Sequence, residues 1–308
     1  MTYSTWLNNW LENYVKPSSK QRTYERYFNI CKLHIIPFFK EQKLTDLTAI
    51  DMQKFVTKLL TCGNRKTGKG LSANFVNTVI SVIQNSLKTA NLIGLTNNYV
   101  ANKIKRPKTV EKQVECFSIV EQKKIEKYVL NSKKDKLLGV VLCLYTGVRI
   151  GELLALTWKD VDFVKGLLYV NKTCYDSYNI DARVRVIDTP KTANSNRVIP
   201  LPKQLQPLLK GLKKRSKSEY LIADGVKPVF VRSYQRSFEL LLKKIGVEHK
   251  GFHSLRHTFA TRALECGIDV KTLSELLGHK NATITLNRYA HSLLEHKTNM
   301  MNRLGKLL

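Results

Sequence analysis

The chain has 308 residues, 43% of them hydrophobic, which is enough for two ordinary domains with a core each and excludes global disorder. It carries 52 Lys and Arg against 24 Asp and Glu, a formal net charge of +28, and residues 1–110 alone hold 17 basic and 5 acidic side chains. Self-repulsion on that scale disfavours a compact chain unless a polyanion is its usual partner, and nucleic acid fits because each cation that neutralises a phosphate releases counterions.

The first hundred residues read as helices. Trp6, Leu7, Trp10, Leu11 and Tyr14 recur at helical spacing until Pro17-Ser-Ser19 breaks the pattern. A second helix runs through Tyr24, Tyr27, Ile30, Cys31 and His34, with Pro37 ending or bending it. Thr48 is a plausible N-cap for a third, carrying Met52, Phe55, Val56 and Leu59. Gly63–Gly70 is a basic, glycine-rich hairpin without the Gly-Lys-Ser/Thr end of a phosphate-binding loop, and a fourth helix covers Asn74–Ala90. Pro107 and the charges around it make 105–113 a linker between a helical domain, 1–104, and a second domain, 114–308. Ser118-x-x-Glu121 is a capping box that opens the second domain. Helices follow over about 118–131 and 135–156. From Trp158 to Leu201 the pattern turns to short strands, one pair around Lys165-Gly166 and another, Val184–Asp188 and Arg197–Pro200, flanking the polar turn Pro190–Ser195. Helices resume at Gln204 and continue to the end. The expected fold is an all-α module followed by an α+β module with a small antiparallel sheet.

Six dispersed cysteines without a Cys-x-x-Cys pair suggest reduced thiols and no zinc or redox site. The start lacks the pattern of a signal peptide, and the longest apolar stretch, Leu137–Val148, is far short of the ~20 residues that span a bilayer. A cytoplasmic protein with no membrane association is expected.

Five pieces of the second domain carry chemistry together and little singly. In Thr146-Gly-Val-Arg149-Ile-Gly-Glu152, an arginine follows an apolar helix and is costly there unless it meets an anion; Glu152, one turn on, can hold it. Lys191 lies in the polar turn, where a lysine is ordinarily just solvated. His253-Ser-Leu-Arg256 puts a proton carrier and a planar anion fork on one helical face, with His257 off that face. Gly278 reads as a helix C-cap that fixes His279 at the start of a loop. Tyr289 follows ten residues later; alone it would be an ordinary core or surface side chain.

The order Arg, turn Lys, His-x-x-Arg, Leu-Gly-His and Tyr resembles the tyrosine recombinase (phage integrase) family over about 113–295, and the helical first domain looks like that family's core-binding domain. The resemblance implies an enzyme that cuts and rejoins double-stranded DNA through a 3′-phosphotyrosine on Tyr289, with no metal, ATP or other cofactor. Arg149, Lys191, His253, Arg256, His279 and Tyr289 would then form the active site, with Glu152 in support. The two arginines and His279 would bind the non-bridging oxygens of the phosphate, His253 would take the tyrosine proton, and Lys191 would protonate the leaving 5′ oxygen. Strand exchange would need a homotetramer on DNA and draw on a directionality factor. Integration or excision of a mobile element is the favoured role; resolution of chromosome dimers and topoisomerase-like strand transfer are the alternatives. The stretch after Tyr289, Leu293–Leu308, is amphipathic and would either dock on a neighbouring subunit or cap its own domain.

Overall fold

In a computed structural model of the chain the described residues are 1–96, 100–110, 114–178, 183–189, 196–279, 281–283, 285–286, 301–302 and 305. The chain divides into two compact units, Met1–Lys112 and Gln113–Leu308. None of the helices among the described residues is long and apolar enough to cross a membrane.

The first unit is helical. Trp6, Leu7 and Trp10 of the helix Tyr3–Trp10 lie in a core with Ile35, Phe55 and Ile80. Pro37 does not end the second helix. The chain stays helical from Gln21 through a π-helical turn, Cys31–Ile35, and on over Ile36–Phe39. A second π-helical turn, Leu11–Val15, precedes Pro17. In both cases the amide before the proline bonds five residues back, Lys16 to Leu11 and Ile36 to Cys31. The wider turn relieves the clash between a proline ring and the preceding carbonyls. Thr48 caps the helix Ala49–Cys62 in a reciprocal pair with Asp51, and the helix Ala73–Leu92 follows Ser72. Of the expected linker, Lys105 to Pro107 is held down in this unit: the Arg106 guanidinium donates to the Asn77 carbonyl at 3.1 Å and to Gln84 Oε1 at 2.6 Å, and Pro107 O accepts from Asn77 Nδ2.

The second unit opens with the expected capping box, in which Ser118 N donates to Glu121 Oε2 at 2.7 Å ahead of the helix Ile119–Leu130. The apolar stretch forms the buried helix Leu138–Thr146 at the centre of the main core. Gly147 stops it in the left-handed conformation (φ +65°), and the chain turns into a second short helix, Ile150–Ala155. A β-carbon on Gly147 would stand 2.4 Å from Phe259 Cδ1 and 2.9 Å from Leu277 Cδ2. Gly147→Ala is therefore expected to destabilise this unit by roughly 2–4 kcal/mol, left-handed strain adding to overpacking, as read from the urea midpoint of the full chain.

The strands differ from expectation in their pairing. β1 (Val161–Asp162), β2 (Leu167–Val170) and β5 (Arg197–Pro200) form an antiparallel sheet in the order β1-β2-β5, with Leu168 opposite Ile199. β3 (Thr173–Tyr178) and β4 (Arg183–Asp188) form a separate two-stranded sheet, with Tyr175 opposite Val186. The strands on either side of the polar turn thus belong to different sheets. β3 was not anticipated, because Thr173-Cys-Tyr-Asp-Ser-Tyr178 lacks a clean apolar alternation. A two-residue hairpin, β6 (Ala223–Asp224) with β7 (Lys227–Pro228), interrupts the C-terminal helices. These are Leu205–Arg215, Val231–Lys244, His253–Glu265 and Val270–Leu277.

Candidate active site

Two arginines of the second unit converge on one carboxylate. Glu152 sits in the first turn of the helix Ile150–Ala155 and is 3% exposed. It accepts from Arg149 N at 2.8 Å and from Arg149 Nη1 at 2.7 Å. Arg197, at the start of β5, donates to it through Nη1 at 3.1 Å and Nη2 at 2.8 Å. Burial alone would raise the Glu152 carboxyl, but its bonds to Arg197 and the charges of Arg197 and Arg149 outweigh this and bring it to about 2. It is an anion at any physiological pH.

The same arginines close on the C-terminus of the helix Val270–Leu277. Arg197 Nε donates to Leu276 O at 2.7 Å and Arg149 Nη2 to Gly278 O at 3.4 Å. Arg256 is 2% exposed and reaches from the helix His253–Glu265, donating to Gly147 O at 2.7 Å and to Leu277 O at 2.6 Å. A helix ends in carbonyls without intrahelical partners and in partial negative charge, so three guanidinium groups are well placed there. They also tie the helix end, β5 and the Gly147 corner into one frame. Among the described residues the frame sets three guanidinium groups around one carboxylate and the carbonyls of a helix end. Planar donors fixed in this way suit an oxyanion.

Gly278 is left-handed (φ 64°, ψ 48°), as its reading as a C-cap requires, and the His279 amide bonds back to Ser274 O at 3.0 Å. His279 Nδ1 lies 2.7 Å from the hydroxyl of Thr285, which is fully buried, and this bond fixes the ring plane. His253 begins its helix on the exposed side, and the His257 ring meets it edge-on at 4.6 Å between centroids. Arg149, held by Glu152, thus bonds to Gly278 O and Arg256 to Leu277 O, the two residues that precede His279. His253 lies one turn before Arg256 on the same helix. Lys191 and Tyr289 lie outside the described residues, as does the stretch 293–300 after the tyrosine. Among the described residues no group of three or more His, Cys, Asp or Glu side chains could hold a metal ion.

Sequence reasoning missed Arg197. Read as one basic residue opening a strand, it gave no sign that its side chain would be buried. The available signal was an arginine at the inner end of a short apolar strand, Arg197-Val-Ile-Pro200, with a carboxylate needing a partner elsewhere. Thr285 escaped notice for a similar reason, since its contact depends on the turn made at Gly278.

The family model described as Phage integrase family matches residues 111–296, and one described as Phage integrase, N-terminal SAM-like domain, matches residues 2–60. The chain is similar to a tyrosine recombinase XerC-like protein of Caldanaerobacter subterraneus subsp. tengcongensis, with 31% identity over all of this chain and 83% of the relative. Its fold is similar to the Tn1549 transposon integrase in complex with a circular intermediate DNA, with a TM-score of 0.81 and 21% identity over 99% of both chains. It is also similar to lambda integrase in a tetramer bound to a Holliday junction, with a TM-score of 0.69 and 23% identity over 92% of this chain and 79% of that one. By the family match over most of its length and this whole-chain relative, the chain belongs to the phage integrase family, the tyrosine recombinases that cleave and rejoin DNA strands.

Proposed function

We propose that the chain is the site-specific recombinase of a mobile element and that Tyr289 is its nucleophile. The observation that carries this reading is the frame of Arg149, Arg197 and Arg256 around Glu152 and the end of the helix Val270–Leu277, whose planar, fixed donors suit a phosphodiester in transfer. In the reaction the Tyr289 hydroxyl oxygen bonds to phosphorus as its proton passes to His253. The bond from phosphorus to the 5′ oxygen breaks, and Lys191 gives that oxygen a proton. Charge growing on the non-bridging oxygens meets Arg149, Arg256 and His279, while Glu152 and Arg197 keep Arg149 in place. The 5′ hydroxyl of a partner strand then reverses the step, so the phosphodiester's energy is kept in the protein–DNA bond.

Units 1–104 and 114–308, joined over 105–113, would serve as core-binding and catalytic domains in the cytoplasm. A homotetramer would hold two duplexes, with a directionality factor choosing integration or excision. Likeness to a transposon integrase and to an integrase tetramer on a junction supports this arrangement. The test uses a nicked duplex carrying the site, on which a cleaved strand diffuses away and traps the adduct. Wild-type chain is expected to give a covalent band that Tyr289→Phe lacks; a Tyr289→Phe band would sink the nucleophile. Lys191→Ala should slow cleavage of ordinary DNA about 10²–10⁴-fold, the usual worth of a general acid, and regain speed with a 5′-thiol leaving group, which needs no proton. Absence of rescue would remove Lys191 from that role.

A further inference from the structure

The segment that leads into the second unit lies across the helix bearing His253 and Arg256. Phe117 is fully buried, and its amide donates to Thr258 Oγ1 at 2.9 Å. The Thr258 hydroxyl, also fully buried, donates in turn to Ser254 O at 2.7 Å, within the turn that contains Arg256. Arg262 Nη2 donates to Phe117 O at 3.3 Å, and Cys116 Sγ lies 3.3 Å from Thr261 Oγ1. Upstream, Val114 packs on a small core of Ala260, Ala263, Leu264, Leu273 and Leu277. That core joins the two helices of the site. Leu277 is also the residue whose carbonyl accepts from Arg256.

From this we infer that Val114–Phe117 is a strap that positions the arginine frame, with Thr258 as the positioning residue. The strap grips the helix His253–Glu265 through one buried amide, one carbonyl, one thiol and one apolar side chain. Any displacement of the strap therefore arrives on the helix that carries Arg256. Packed interfaces transmit such displacement because they deform little. The inference rests on the reading of Arg256 as a phosphate-binding group.

The test compares Thr258→Val, which keeps shape and removes the hydroxyl, with Thr258→Ser, which keeps the hydroxyl. Two quantities are read on the full chain. One is the rate of covalent adduct formation at saturating nicked duplex, together with the Kd for that duplex. The other is the alkylation rate of Cys116 by a maleimide without DNA, in a background carrying Cys62→Ser and Cys266→Ser to remove the two exposed thiols. Thr258→Val is expected to speed Cys116 alkylation severalfold and to slow adduct formation about tenfold, the scale on which small misplacements act, with Kd unchanged. Thr258→Ser should restore both. Cys116 alkylation unchanged by Thr258→Val would show that this bond does not hold the strap. Faster alkylation with an unchanged cleavage rate would show a strap that does not position the site, and a loss that serine fails to restore would overturn the role of the hydroxyl. A parent background that forms no adduct at all, as the intact wild-type chain also fails to do, would instead contradict the recombinase reading, and would overturn this inference with it.

Discussion

Arg256→Ala is expected to lower the rate of adduct formation on a nicked duplex by about 10²–10³-fold, the usual loss for one donor to a developing oxyanion. The expectation comes from its setting. Arg256 is buried, and both of its terminal nitrogens are bonded to carbonyls that belong to different elements, Gly147 O and Leu277 O. The guanidinium is therefore preorganised and needs no rearrangement when charge develops nearby. Arg256→Lys should recover little, because an ammonium is a point donor and cannot bridge the two carbonyls in one plane. The alanine variant also leaves those carbonyls without a donor, at about 1–3 kcal/mol for each that water cannot reach. Fluorescence anisotropy on the same duplex separates the effects: Kd should change far less than the cleavage rate. A variant that cleaves within about threefold of wild type would place the phosphate elsewhere.

Glu152→Gln should have the largest effect on stability. The amide is close to the carboxylate in shape but removes the negative charge that Arg149 and Arg197 share. Breaking a buried ion pair by removing one partner costs about 3–5 kcal/mol. The pH dependence follows from the titration of this carboxyl. It titrates near 2 in the folded chain against an ordinary value of 4.5, so the folded state holds its proton less tightly than the unfolded state does. Its contribution is therefore complete above about pH 4.5, declines as the pH falls below that, and is gone once the pH has passed through about 2. Urea midpoints measured from pH 7 to pH 2 should converge for wild type and Glu152→Gln at the acid end and separate towards neutrality. Parallel curves would mean that the carboxylate is not held by the arginines.

The helical first unit, the N-cap at Thr48, the capping box at Ser118 and the C-cap at Gly278 were legible because each is set by neighbours in sequence. So was the hold of Glu152 on Arg149, three residues away. What was not legible depends on distant partners. β5 pairs with β2 across the two strands that form their own sheet, and nothing in the turn before Arg197 encodes that choice. Arg197 could not be assigned to Glu152 because 45 residues separate them. Pro37 did not end its helix for a local reason: a π-turn can absorb a ring, and its spacing leaves no mark in a 3.6-residue pattern.

The most direct measurement of the central claim is to digest the DNA-linked protein and map the linked peptide. Wild-type chain is incubated with the nicked duplex, the adduct is treated with nuclease and protease, and the modified residue is located by mass spectrometry. A single phosphotyrosine at Tyr289 is expected, still bearing a 3′-linked nucleotide, with a released strand whose free 5′ hydroxyl accepts phosphate from a kinase. A nucleotide on another residue, or a tyrosine linked to a 5′ phosphate, would contradict the central claim.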